Sequence, residues 1–476
     1  MIRSRFRTLL LAALVLAAGG FPSRLAAHTA LAASAPAAGD TVDGGVGEIR
    51  VRFTRPVEGS LTAMALLAGG DTVASGRGVP VAGSDGKAFT LALPVLAPGS
   101  YTVAWRTAGA DGHVIRGTFA FHVRAPATIV VPEVAAPAAT VAIEPVEAAP
   151  TVKAAEVATV AAPPTEADPA TSPVAVAVRW AGYVALLGMV GAVGFELGVL
   201  RRLRRRREHE VVVARAVYGA WYLAAGAAAL SLVTLIVRLW LQSAAVYGPA
   251  AALDERMLAL LLENTVWGNA WVLQAIASVA FFVGLLVSRA PHGHSPGWMG
   301  SAGAAAILCA VPALSGHAAS VEWATGVAIL SDAVHVLGAG AWLGTLAMLM
   351  AAGFPAALSA RGEGGTVAFA AMVEAFSPVA LAGAGTAGLT GIINALFHLR
   401  APAELWGTRY GQFLLIKLAL LAVVAAIGFH NWRRIRPTLG DEAGAQRLSR
   451  TARGELVAGA LALLVTAILV ALPTPG

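Results

Sequence analysis

Cysteine is almost absent from the sequence, since Cys309 is the single cysteine among 476 residues. One cysteine cannot form an intrachain disulfide, and Cys-x-x-Cys metal sites are excluded. Any exported part must therefore be stable through its own core. Metal ligands would have to be His, Met, Asp, Glu or a free N-terminus. The nucleotide-binding pattern G-x-x-x-x-G-K-S/T is also missing, which argues against ATP-driven pumping by this chain.

Charged residues are also scarce, at 13% against 57% hydrophobic residues, and the mean hydropathy is +0.71. A chain this apolar and this long indicates an integral membrane protein. The net charge of +7 is read by position, because arginines in a membrane protein report topology before they report a partner. We therefore expect the lipid bilayer as a partner and no nucleic acid.

The first 27 residues have the order of a secretory signal peptide. Arg3, Arg5 and Arg7 precede an apolar run at 9–18, and Leu25-Ala26-Ala27 ends the segment. The run is too short to span a bilayer comfortably, although an uncleaved anchor is the alternative. Cleavage after residue 27 would make His28 the mature N-terminus.

Residues 28–125 have the alternating pattern of short β-strands. Aspartate, glycine and proline turn signals separate the runs, which predicts an all-β sandwich or barrel that is exported. The alternating and strand-like runs are 49–53, 61–67, 89–93, 101–105 and 119–123. Residues 126–175 contain no aromatic residue and are rich in Ala, Val and Pro, which predicts an extended linker.

Residues 176–476 predict an all-α membrane domain of about eight transmembrane helices. The apolar runs lie at 178–200, 214–240, 268–288, 298–316, 324–350, 367–397, 411–431 and 455–472. Arginines cluster at 201–207 and again at 433–453, which fall on the same side of the membrane if the count is right. The positive-inside rule makes that side cytoplasmic. The sandwich is then outside, as the signal peptide requires.

One tripeptide in the sandwich has the residue types of a metal site. Asp111 and His113 are two residues apart, so in extended chain their side chains leave the same face. His28 at a free N-terminus would add its α-amine and its ring Nδ1. With a carboxylate oxygen of Asp111 and an imidazole nitrogen of His113, these atoms make an N3O ligand set. Cu(II) prefers tetragonal coordination by nitrogen and oxygen ligands of this kind. The alternative is that Asp111-Gly112 is an ordinary turn followed by a surface histidine.

The exported segment resembles the CopC family of periplasmic copper-binding proteins. The resemblance is carried by the start at His28, the stretches at 49–54 and 99–105, and the stretch from Asp111 to Phe121. It implies a cupredoxin-like or Ig-like barrel that holds Cu(II) through His28, Asp111 and His113. Met64 is the one methionine in this segment, so the methionine-rich Cu(I) site of some relatives is not expected.

Polar residues in the predicted spans are functional candidates, because they are costly in lipid. Asp332 and His335 are three residues apart and share a helix face, and His317 and His398 lie at outer helix ends. These four residues are a candidate copper site on the outer side. The alternative is that they are interfacial and packing residues. Lys417 is expected to pair with a carboxylate such as Glu374 or to extend to the interface.

The membrane segment resembles the CopD family of inner-membrane copper proteins, on the stretches at 332–344 and 408–418 followed by Asn431. The whole chain thus resembles a CopC–CopD fusion. The resemblance implies a bacterial inner-membrane protein that handles copper in transport, homeostasis or resistance, with periplasmic copper carriers or cuproenzymes as partners. It leaves open whether the membrane domain takes Cu(I). Three alternatives to this non-enzymatic reading are a copper oxidase with a histidine brace, a membrane haem protein and a copper-sensing receptor.

Overall fold

The computed structural model describes residues 30–43, 45–109, 114–124, 172–207, 209–290, 294–316, 324–360, 363–399, 401–439 and 442–472. The predicted ligands His28, Asp111, His113 and His317 lie outside these residues. So do the predicted signal peptide and residues 126–171 of the predicted linker.

The N-terminal part of the described chain is a β-sandwich. One sheet has the strand order β1-β3-β7-β6 and the other β2-β9-β8-β4-β5. The strands are β1 (Leu31–Ala35), β2 (Thr41–Asp43), β3 (Glu48–Phe53), β4 (Ala63–Ala68), β5 (Asp71–Arg77), β6 (Val79–Pro80), β7 (Ala88–Ala92), β8 (Gly99–Ala108) and β9 (Val114–Arg124).

The alternation seen in the sequence decides which side chains form the sandwich core. In β3, Ile49, Val51 and Phe53 are buried while their neighbours are exposed. They pack against residues of the other sheet, including Val103 and Phe121. The all-β domain predicted from the sequence is therefore confirmed.

Eight helices among the described residues are long and apolar enough to cross a membrane, as the sequence predicts. With two short helices, the order is α1 (Pro173–Arg206), α2 (Glu210–Tyr247), α3 (Glu255–Glu263), α4 (Val266–Val287), α5 (His294–Leu314), α6 (Thr325–Leu358), α7 (Gly364–His398), α8 (Glu404–Gly407), α9 (Arg409–Thr438) and α10 (Glu442–Leu469).

The limits of the last helix were predicted wrongly. The apolar run suggests a start at 455, whereas α10 begins at Glu442 and includes Arg447, Arg450 and Arg453. Arginine has a high helix propensity, so a helix can continue past the lipid although hydropathy no longer marks it. The arginine clusters are thus largely helical extensions at the predicted cytoplasmic face rather than loops.

Glycines allow the closest approach between α1 and α6. A β-carbon at Gly191 would overlap the backbone of Gly344, and one at Gly344 would overlap the carbonyl oxygen of Leu187. Only glycine fits at such backbone contacts, as in small-residue packing of membrane helices. The small residues of 338–344 therefore serve helix packing.

Candidate metal sites

The strands that flank the predicted Cu(II) ligands meet at one end of the sandwich. Ala30, two residues after His28, exchanges two hydrogen bonds with Thr54. The Thr54 N–H donates to the Ala30 carbonyl at 2.9 Å, and the Ala30 N–H donates to Thr54 Oγ1 at 2.9 Å. The start of β1 is therefore held beside the end of β3.

The same end of the sandwich carries the β8–β9 connection, which contains Asp111 and His113. Ala108 and Val114 are paired directly across this connection. Val57 pairs with Gly109, and the Glu58 N–H donates to the Ala108 carbonyl at 2.9 Å. The segment 54–58 thus joins the start of β1 to the β8–β9 connection.

This end of the sandwich contacts the outer ends of the membrane helices. Glu58 Oε1 accepts a hydrogen bond of 3.2 Å from the backbone N–H of Val266, at the first turn of α4. A carboxylate at a helix N-terminus is favourable because the unpaired N–H groups there carry partial positive charge. Burial nevertheless raises the pKa of Glu58, and the hydrogen bond from Val266 offsets part of that rise.

An apolar cluster surrounds this polar contact. Leu61 and Ala108 of the sandwich form one buried group with Val246, Leu261 and Trp267 of the membrane domain. Both Leu61 and Trp267 are under one-tenth exposed. The contact is at the helix ends that the arginine pattern places outside, so the packing and the predicted topology agree.

Within the membrane domain, Asp332 and His335 both face α7. Asp332 Oδ1 accepts from Asn394 Nδ2 at 3.2 Å, and the oxygen of that amide accepts from Ser331 Oγ at 2.6 Å. His335 Nδ1 lies 2.9 Å from the Ala387 carbonyl oxygen. A carbonyl only accepts, so Nδ1 carries the proton and Nε2 keeps the lone pair that could bind a metal.

Two helices further on, α9 places its polar residues near the same aspartate. Lys417 and Tyr410 both interact electrostatically with Asp332. The lysine therefore lies near Asp332, whereas Glu374, the partner suggested from the sequence, is exposed. His398 packs edge-on against Tyr410, with the ring centroids 6.4 Å apart.

The four membrane candidates are only partly brought together. Asp332 and His335 share the α6–α7 contact, while the described contact of His398 is with Tyr410 at the end of α7. Among the described residues, no three His, Cys, Asp or Glu side chains form a group that could hold a metal ion. A site shared by these residues stays a prediction, since His317 lies outside the described residues.

A buried carboxylate on the opposite side of the membrane was not singled out from the sequence. Glu196 is 0% exposed, accepts from His294 Nε2 at 2.9 Å, and is paired with Arg204. The signal was present, because a glutamate inside the apolar run 178–200 is costly unless it is neutralised. Its contacts tie α1 to the start of α5 at the predicted cytoplasmic face.

Three family models match successive parts of the chain. The CopC domain matches residues 31–124, the N-terminal domain of copper resistance protein D-like proteins matches 169–327, and copper resistance protein D matches 370–469. The chain is a CopC–CopD fusion. Its fold agrees with these matches, because the CopC match covers the sandwich and the other two cover membrane helices.

Known relatives of this CopC–CopD fusion include the copper transport protein CutJ of Bacillus subtilis. The two are 26% identical over 488 residues, which is all of this chain and 79% of CutJ. Similar solved structures include CopC from Methylosinus trichosporium, which is 30% identical, with 21% of this chain and 95% of that one covered and a TM-score of 0.20. PcoC of Escherichia coli, titled a methionine-rich copper resistance protein, is 28% identical over 20% of this chain and 99% of its own, with a TM-score of 0.18.

Proposed function

We propose that this CopC–CopD fusion binds Cu(II) on its exported sandwich and passes copper to the outer face of its membrane domain. In this proposal the protein sits in the bacterial inner membrane, with the sandwich in the periplasm. The carrying observation is that the sandwich end flanking His28, Asp111 and His113 is the end that contacts the membrane helices.

The sandwich ligands are restricted by the strands around them. His28 is two residues from Ala30, so its Cα lies within roughly 7 Å of that residue. In the sequence, Asp111 and His113 lie between Gly109 and Val114, and the described segment 54–58 contacts both Gly109 and Ala30. This placement supports one N3O site built from both segments, with copper bound as cargo.

Electron paramagnetic resonance of the full-length protein loaded with Cu(II) tests this ligand set. We expect hyperfine coupling from three nitrogens, which changes in His28→Ala, in His113→Ala, and when one residue is inserted before His28. The matched control is His122→Ala, because His122 is an exposed sandwich histidine that contacts Ser100 at 2.8 Å. An unchanged spectrum in all three variants would contradict the site.

In the membrane domain, His335 is the residue we propose as the acceptor. Its Nδ1 is used by the Ala387 carbonyl, so Nε2 is available to copper in either oxidation state. Asp332, three residues earlier, adds a carboxylate on the same helix face. We expect His317 and His398 to contribute at the outer end, before copper reaches His335.

Transport is tested in cells whose own copy of the gene is deleted and replaced by a variant. The cellular copper content and the copper tolerance of these cells are measured. We expect His335→Ala and Asp332→Asn to alter both quantities relative to the native gene. His430→Ala is the control, because His430 is exposed at the other end of α9. Native copper content and tolerance in both variants, under copper excess and copper limitation, would refute transport through this site.

Assays on the purified protein distinguish transport from the enzymatic and haem alternatives, and assays on cells distinguish it from a receptor. Oxidation of an added substrate by the copper-loaded protein would favour an oxidase. A Soret absorption band would favour a haem protein. If the cellular copper content did not depend on the gene, and a partner protein changed its activity in response to copper, a receptor would be favoured.

A further inference from the structure

A cavity of about 530 Å³ lies between the sandwich and the outer ends of the membrane helices. Four arginines line it, Arg106 and Arg116 from the sandwich and Arg179 and Arg238 from α1 and α2. Its lining, as far as the structure describes the chain, includes no aspartate or glutamate. A cavity with this charge repels a bare metal cation and attracts an anion.

The two sandwich arginines are placed where their charges repel. Arg106 in β8 and Arg116 in β9 are directly opposite each other in the strand register. Like charges at such positions destabilise a sheet. Burial and the charge of Arg116 lower the pKa of Arg106, and its buried Nε has no hydrogen-bond partner in the described structure.

The two membrane-domain arginines form a second pair of like charges. Arg179 and Arg238 interact electrostatically across the cavity wall. Arg238 donates to the side-chain oxygen of Gln274 at 3.0 Å, and Arg179 donates to the Ala467 carbonyl at 2.6 Å. These contacts orient the two guanidinium groups at the cavity wall.

Topology does not explain these two arginines. Both lie near the outer ends of their helices, because Arg179 is in the second turn of α1 and Arg238 is in the last third of α2. The positive-inside rule favours arginine at the opposite ends. Arginine at membrane depth is costly, and it is usually found where it serves a ligand or a partner charge.

We propose that the cavity binds a phosphate-bearing anion through these four arginines. The guanidinium fork matches phosphate oxygens in geometry and supplies paired, charge-assisted hydrogen bonds. The remaining wall includes Leu186, Met189, Val311 and Val470, which suits an apolar group attached to the phosphate. The phosphate comes either from the headgroup of an anionic lipid or from a soluble phosphate compound.

The bound anion would also bridge the two domains, because each contributes one arginine pair. An anion held by arginines of both domains would strengthen docking of the sandwich. The proposed anion site does not depend on copper, since the cavity wall and its arginines form it without a metal ion.

Binding is tested on the full-length protein in maltoside micelles, which contain no phosphate. One arm titrates inorganic phosphate by calorimetry. The other adds phosphatidylglycerol, with diacylglycerol as the phosphate-free lipid, and records retained lipid by native mass spectrometry. Arg106→Gln and Arg238→Gln are compared with Arg256→Gln, whose side chain is exposed at the start of α3 and is not in the cavity wall.

We expect each cavity variant to weaken binding by about tenfold or more, since a hydrogen bond to a charged group contributes about 1.5–3 kcal/mol. The Arg256→Gln protein should bind as the native protein does. Binding of phosphatidylglycerol alone would assign a lipid headgroup, and binding of inorganic phosphate would assign a soluble source. Failure of the native protein to bind either probe would overturn the proposal, as would native affinity in both cavity variants.

Discussion

Replacing Leu61 by alanine should release the sandwich from the membrane domain without unfolding it. Leu61 is 4% exposed, and its buried neighbours are mainly Val246, Leu261 and Trp267 of the membrane domain. It does not belong to the core of the sandwich itself. The side chain therefore stabilises the docked arrangement more than it stabilises the sandwich fold.

The size of the effect follows from the burial of this leucine. Leucine-to-alanine changes in packed interiors cost about 2–5 kcal/mol. Ala108 of its own domain belongs to the same buried group, and both arrangements retain it beside the sandwich. We therefore expect the lower end, about 2 kcal/mol, which reduces the ratio of docked to undocked protein roughly 30-fold.

Electron–electron distance measurements between two spin labels follow docking directly. In a Cys309→Ser background, cysteines for the labels replace Val95 in the sandwich and Leu253 after α2. Val95 is 98% exposed and Leu253 is 74% exposed. The native protein should give one narrow distance distribution, and Leu61→Ala should add a longer, broad one. Leu66→Ala removes the same atoms from the sandwich core and should weaken its fold without an equivalent specific loss of docking. A native distribution in Leu61→Ala would refute the reasoning.

The same labels test Glu58, whose pKa is raised by burial in the docked state. Docking should be strongest below the undocked pKa and weaken as the pH rises through the docked value, and Glu58→Gln should flatten this dependence; an equal slope in both proteins would contradict it. Gly344→Ala should lower the free energy of unfolding by about 1–3 kcal/mol, because the added methyl group meets the backbone of α1. The control is Gly388→Ala, where the methyl group has open space and the change should be neutral or stabilising. In Gly391→Ala the new β-carbon would lie 3.2 Å from Cε1 of His335, so we expect altered copper accumulation there and none in Gly388→Ala; native behaviour in both would separate the ring position from transport.

The features that could be predicted from the sequence are those with a local physical signature. Eight apolar runs predict eight helices, because a span must satisfy its backbone within itself and face lipid. Alternation at 49–53 predicts a half-buried strand, and β3 has that burial pattern. The pairing of Asp332 and His335 on one face follows from helix geometry alone.

Partners between distant segments could not be predicted in this way. Lys417 lies near Asp332, and its partner suggested from the sequence was Glu374. The packing of α6, α7 and α9 decides which buried charges meet. The start of α10 was missed because hydropathy detects lipid contact and not helical structure. Glu196 was visible as a charge in an apolar run, but its partner His294 comes from the start of α5, 98 positions away.

By itself, the amino-acid sequence determined the two kinds of domain, their order, the number of spans and the residue types able to bind copper. These properties depend on composition and on the short periods of strands and helices. Only the tertiary structure decided which end of the sandwich meets the membrane domain and which arginines share a cavity. Those arrangements depend on contacts between residues more than a hundred positions apart, such as Glu58 with Val266, for which no local pattern exists.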